Sequence, residues 1–224
     1  MPKLQISLAC CDYDRTKAIF DGRAQIGGCE VLPVAIEPEE SFHRAFSSQE
    51  FDVSEISISS HTLMTSRAEN AYMGILAFVS RLFRHSGIYI RTDRGIDSPQ
   101  AFNGKIIGLP EYQITANVWI RGILEDDYGV RPETIRWRRG GLEESGRLER
   151  APLELPPNIE LKQVPDGKTL SGMLEAGDLE RSSVRARRRV SSVALRTWPV
   201  CFRITGAPRK TTTDTPVSSR RCTS

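Results

Sequence analysis

The sequence predicts an α/β protein built on a mostly parallel sheet, and three observations carry that expectation. Short apolar runs rich in branched residues recur along the first 180 residues, each bounded by Gly or by charge. Segments of helical periodicity follow them, and alternation of strand with helix is the pattern of parallel α/β layers. With 224 residues and 39% hydrophobic content, the chain can bury a core in one large domain or in two small lobes.

Residues 3–10 (KLQISLAC) and 29–36 (CEVLPVAI) read as the first two strands. A helix follows at 38–47. Pro38 suits a first helical turn, Glu39 and Glu40 favour the positive helix end, and Phe42, Ala45 and Phe46 form an i, i+3, i+4 stripe. His43 falls on the polar side of that helix and is expected in solvent. Residues 52–58 (DVSEISI) make a third strand, 59–69 (SSHTLMTSRAE) a second helix and 73–79 (MGILAFV) a fourth strand.

Beyond these, 87–92 (GIYIRT) is a further strand, and 97–110 (DSPQAFNGKIIGLP) carries a short helix, an Asn-Gly turn and the strand IIGL. In the next helix Ala116, Trp119, Ile120, Ile123 and Leu124 fall at i, i+3, i+4, i+7 and i+8, and Gly129 stands where a C-cap belongs. Strands at 134–138 (TIRWR) and 159–164 (IELKQV) flank a polar, Gly- and Pro-rich connection at 140–158. The stretch TLSGMLEAGDLE then reads as a helix ending at Gly177.

Charge divides the chain. Of the formal +3, residues 181–224 supply +10 through ten Arg, one Lys and one Asp, which leaves residues 1–180 at −7. Basic character that would suggest nucleic acid or an anionic membrane belongs wholly to that tail, so neither is an expected partner of the acidic body. The opening MPKLQISLACCDYDRT holds too short an apolar run for a signal peptide, and no window approaches the roughly 20 apolar residues of a membrane span. A cytoplasmic protein is expected. Cysteines 10, 11, 29, 201 and 222 form no CxxC pair and read as reduced, partly buried thiols.

Two sets of residues resemble known families. SPQAFNGKIIGLPEYQITANVWIRGILEDDYGV resembles the start of the second lobe in type II periplasmic-binding-protein folds. SLACCDYDRTKAIFDGR, FDVSEISISSHT, RLFRHSGIYI, GLPEYQITANVWIRGIL and GGLEE together resemble the 4,5-dihydroxyphthalate decarboxylase family over roughly residues 1–180. Cys11 departs from the Gly that family carries, which bears on the tightness of the first loop. The resemblance implies an α/β, two-lobed type II periplasmic-binding-protein-like fold, incomplete at the C-terminus, with lobe 1 at 1–94 and lobe 2 at 95–180.

At Glu180 the resemblance stops. The family continues GDLDALF, whereas this chain reads GDLERSS. Loss of one base from GAC GCG CTC TTC gives GAG CGC TCT TC, which encodes Glu-Arg-Ser-Ser as found at 180–183. Residues 181–224 are therefore expected to be an out-of-frame, disordered basic tail, and the product to be inactive.

In folds of this kind ligands bind at the carboxyl ends of strands and at helix N-termini. That selects Cys11–Arg15, Ser59–Thr62, Arg81–Ser86 and Tyr112–Thr115. The resemblance implies an aromatic dicarboxylate, whose non-oxidative decarboxylation needs a general acid for the ring carbon, an acceptor for the para hydroxyl and cations for the second carboxylate.

His85, beside two arginines, is the expected proton donor, with a solvated loop histidine as the alternative. Arg81 and Arg84 are carboxylate clamps or surface arginines. His61 accepts the phenol proton or begins its helix. Asp12 orients a histidine or, like Asp14, caps the first helix. Ser59 and Ser60 bind substrate or start their helix, and Tyr13, Gln113 and Thr115 complete the substrate-binding set.

His61, His85 and Asp12 have no metal-ligand spacing, so no metal and no cofactor are expected. Glu143-Glu144 and Asp126-Asp127 read as solvated pairs. A homo-oligomer is left open, and the alternative function is a small-anion solute-binding protein of the ABC-transporter type, since fold alone does not assign chemistry.

Overall fold

The computed structural model describes residues 2–82, 84–91, 93, 96–149, 152–179, 181–182 and 195–197. Its first layer is a parallel sheet ordered β2-β1-β3, formed by β1 (Leu4–Cys10), β2 (Cys29–Ala35) and β3 (Val53–Ser54). Pro33 lies opposite Leu8 on β2, an edge strand, where a residue without an N–H is tolerated. The helices α1 (Lys17–Phe20), α2 (Pro38–Ser48) and α3 (Ile58–Ser66) accompany it. Pro38 and the acids Glu39 and Glu40 open α2, as their fit to a helix N-terminus requires, and Gln49 closes it in a left-handed conformation at φ 52°. Ala45 seats α2 on the sheet, where Ser41 Oγ reaches Ser54 Oγ and the Glu55 carbonyl, each at 3.1 Å. His43 is exposed.

The second sheet is ordered β7-β6-β5-β8-β4-β9. Its parallel heart is β5 (Ile106–Leu109), β6 (Arg136–Arg139) and β7 (Leu161–Gln163). β8 (Arg181–Ser182) runs parallel to β5, and β4 (Tyr89–Arg91) is antiparallel to β8 and to β9 (Leu195–Thr197). The main core lies on this sheet. Phe102, Ile107, Leu109, Ile120, Leu124, Val130, Ile135 and Trp137 are all buried there, and Trp137 meets Tyr112 edge-on at 5.8 Å. α4 (Thr115–Asp126) covers it, and α5 (Leu170–Ala176) packs a second cluster of Val164, Leu170, Met173, Leu174 and Leu179. Thr169 caps α5 by accepting the Gly172 N–H at 3.1 Å, and Gly177 ends it at φ 83°.

Five expectations change. Residues 73–79 form no strand. They lie uncovered, with Met73 90% and Leu76 96% exposed, because a strand needs a ladder partner and none among the described residues runs beside them. The third strand shrinks to Val53–Ser54, and Ile58 begins α3 instead of ending a strand. On α4 Trp119 is 60% exposed, while Asn117, Ile120 and Leu124 form the buried face; a backbone acceptor satisfies the Asn117 amide and makes its burial affordable.

Gly129, at φ 67°, does end that helical segment, but two residues beyond its cap at Asp127. Finally, Tyr89–Arg91, which a division at 94/95 assigns to the first lobe, pairs within the second sheet. Of the basic tail, only Arg181–Ser182 and Leu195–Thr197 are described, and both run as strand. The disorder expected of the rest falls outside the described residues. Among the described residues, no helix is long and apolar enough to cross a membrane.

Candidate functional site

The segment after the carboxyl end of β3 and the loop leading into α4 meet through short polar side chains. Thr115 Oγ1 lies 2.9 Å from Ser57 Oγ and 3.0 Å from Ser59 Oγ, and it also receives the Ser59 N–H at 3.2 Å. Ser60 Oγ donates to Gln113 Oε1 at 2.9 Å. Four of the expected site residues, Ser59, Ser60, Gln113 and Thr115, are thus brought together. Neither serine starts its helix. Ser57 occupies the N-cap position without a side-chain capping bond, and the hydroxyls of Ser59 and Ser60 reach across to the α4 side.

On the β1 side, Tyr13 Oη donates to Glu55 Oε1 at 2.8 Å, and the Cys11 N–H donates to Glu55 Oε2 at 3.2 Å. Burial and the neighbouring carboxylate push the Tyr13 phenol well above the ordinary tyrosine range. Burial, reinforced by Glu55 among the nearby acids, also raises the Cys10 and Cys11 thiols. The Arg15 guanidinium stands 4.1 Å from the Tyr13 ring centroid, and its Nε donates to the Val79 carbonyl.

Asp12 and Asp14 are exposed and cap nothing. Thr16 occupies the N-cap of α1, and its hydroxyl staples the turn by accepting the Tyr13 N–H at 3.1 Å. Glu55 escaped the sequence reading, since one acid within an apparent strand carries no periodic or spacing signal.

His61 faces away from the hydroxyl cluster. Its Nδ1 contacts Asn70 Nδ2, and its Nε2 packs so close to Gly74 that an added Cβ there would stand 2.9 Å away. His85 lies in a short 3-10 helix, Arg84–Gly87, packed on α4; its side chain is outside the described residues. Arg84 is half-buried, and burial lowers its pKa, whereas Arg81 is exposed.

A third cation, Arg147 from the 140–149 loop, was not foreseen. Its Nη2 lies 2.5 Å from Glu111 Oε1 and 2.8 Å from Glu39 Oε2, so it bridges the second sheet's layer to the first turn of α2. Glu111 is 1% exposed, and its second oxygen accepts from Gln113 Nε2 at 3.3 Å. The buried Glu149 carboxylate takes the N–H groups of Tyr112 and Gln113, and burial raises its pKa.

A cleft of about 480 Å³ opens elsewhere, lined by Arg139, Glu149 and an aliphatic, proline-rich wall. At the hydroxyl cluster the facing loops touch directly. Among the described residues no three His, Cys, Asp or Glu side chains are placed to hold a metal ion.

No family model matches the chain. Over 180 residues, 80% of its length, it is 44% identical to a 4,5-dihydroxyphthalate decarboxylase of Comamonas testosteroni, and it spans 54% of that protein. It is 45% identical over 180 residues to a 4,5-dihydroxyphthalate decarboxylase of Pseudomonas putida, of which it spans 70%. The chain belongs to the 4,5-dihydroxyphthalate decarboxylase family. In this member of the 4,5-dihydroxyphthalate decarboxylase family, the stretches that carry the resemblance also build the junction. CCDYDR supplies Tyr13, FDVSEISISSHT supplies Glu55, Ser57, Ser59 and Ser60, and GLPEYQIT supplies Glu111, Gln113 and Thr115.

Proposed function

We propose that the chain is built for non-oxidative decarboxylation of an aromatic hydroxy-dicarboxylate, taking 4,5-dihydroxyphthalate to protocatechuate in the cytoplasm. The observation that carries this reading is the 44–45% identity over 180 residues to two decarboxylases of that name. The contacts of Ser59 and Ser60 with Thr115 and Gln113 support it, since they set strand-end loops from two sheets against each other. The same contacts support a two-lobed type II binding-protein-like arrangement, in which substrate sits between the lobes.

The chemistry follows from the substrate. A proton is delivered to the ring carbon bearing one carboxylate, electron density comes from the para hydroxyl, and the carbon–carbon bond breaks as carbon dioxide leaves and aromaticity returns. His85 is the proposed donor. Arg84 and the N-terminus of α4 at Thr115 are the proposed holders of the remaining carboxylate. No metal or cofactor enters this scheme.

Residues 181–224 are read as out of frame on the abrupt charge change after residue 180 and the one-base slip that accounts for Glu-Arg-Ser-Ser. The test compares this chain with a version having one base restored at codon 180, supplied with 4,5-dihydroxyphthalate and assayed for carbon dioxide. Release by the restored protein, with little or none from this chain, is the expected result. Binding by both without turnover would favour the solute-binding alternative, and equal turnover would remove the frameshift account.

A further inference from the structure

We infer that Glu55 is a specificity-determining residue that reads the ring hydroxyls of the substrate and turns them toward the β1–β3 edge. The inference rests on the decarboxylase reading above and adds a contact to it.

Glu55 stands directly after β3, at the carboxyl edge of the first sheet, where open α/β sheets receive ligands. Its backbone is pinned: its N–H donates to the Ala9 carbonyl at 2.8 Å, and its own carbonyl accepts from Ser41 Oγ at 3.1 Å. Its side chain already accepts a phenol, since Tyr13 Oη reaches Oε1 at 2.8 Å, while Oε2 takes the Cys11 N–H. A carboxylate offers about four lone-pair positions, so these two contacts do not exhaust it. The bond this protein makes to its own phenol is chemically the bond that a hydroxylated ring would make beside it.

Charge fixes the orientation. Two residues along the same loop, Ser57 contacts Thr115, the first residue of the 12-residue helix α4. The positive end of that helix attracts carboxylates, and the Glu55 carboxylate repels them. In 4,5-dihydroxyphthalate the hydroxyls lie on the opposite side of the ring from the carboxylates. A ring placed between Thr115 and Glu55 therefore presents its hydroxyls to Glu55 and its carboxylates to the helix. Phthalate, which has the carboxylates and lacks the hydroxyls, leaves Glu55 with nothing to accept.

The test measures binding of 4,5-dihydroxyphthalate and of phthalate to the whole chain by calorimetry, for the unsubstituted protein, Glu55→Gln and Glu55→Asp. The unsubstituted protein is expected to prefer the hydroxylated ligand by about 10-fold or more, the weight of a hydrogen bond to a charged group. Glu55→Gln should lower that ratio, chiefly through weaker binding of the hydroxylated ligand as the charged acceptor is lost, and Glu55→Asp should keep a preference for the hydroxylated ligand.

A ratio unaltered in Glu55→Gln overturns the assignment of Glu55 and leaves the functional reading standing. Loss of both ligands in both variants overturns it as well, by making Glu55 a scaffold residue. Failure of the unsubstituted chain to bind either ligand overturns this inference, while carbon dioxide release by the version restored at codon 180 decides the functional reading separately.

Discussion

Ser60 Oγ donates to Gln113 Oε1 across 2.9 Å, and both side chains are buried. The contact joins the first turn of α3 to the loop before α4, so two sheets that share little apolar core share a satisfied polar pair. Ser60→Ala leaves the buried Gln113 oxygen without that donor and should cost about 1–3 kcal/mol. The urea midpoint measures this. Thr62→Ala, at an exposed site on the same helix, should stay within about 0.5 kcal/mol of the parent.

Arg147 should matter more than its surface position suggests. Arg147→Met removes the cation from the Glu111 carboxylate, which is almost wholly buried, and breaking such a pair costs roughly 3–5 kcal/mol, with the low end expected because Arg147 is one-third exposed. Glu39→Gln removes the exposed partner and should cost about 0–1 kcal/mol. Chemical denaturation of the two variants gives the contrast. Equal effects would place the weight of the triad on its exposed arm.

Glu149 sets a pH dependence. Burial holds its folded-state pKa above the ordinary carboxylate value, so the fold retains its proton more tightly than the unfolded chain does. Its contribution to stability is full below the unfolded value of about 4.3 and is lost as pH rises through the raised value. Glu149→Gln should therefore gain stability relative to the parent as pH climbs from about 4 toward neutrality, and the two should converge below about pH 4. Thermal melts across that range check the sign, and a gap that widens on acidification would contradict it.

Much of this architecture is legible in the residues themselves. Pro38, Glu39 and Glu40 announce α2, the Gly177 stop closes α5, and branched runs mark β1, β2 and β5, because these signals are local and physical. Residues 73–79 misled because an apolar run states a wish for burial without naming a partner to provide it. The site shows the same split. Tyr13, Ser59, Ser60, Gln113 and Thr115, which lie where the two sheets meet, could be singled out because each follows a strand end. Glu55 and Arg147 were missed because their roles come from groups 42 and 36 positions away in the chain, Tyr13 and Glu111, which no spacing rule reaches.

The uncovered run between the two sheets has a consequence for a protease. Residues 73–82 carry neither helix nor strand and are mostly exposed, and Arg81 places a basic residue among them, the feature trypsin selects. A single cut there divides the chain after its first sheet and the helices α1 to α3. Among the described residues, the contacts that then hold the halves include Ser57 and Ser59 on Thr115, Ser60 on Gln113, Glu39 on Arg147 and the Arg67 guanidinium on the Pro152 carbonyl. The nicked protein would be a two-fragment complex, and its dissociation on dilution would weigh the junction between the sheets free of the covalent link.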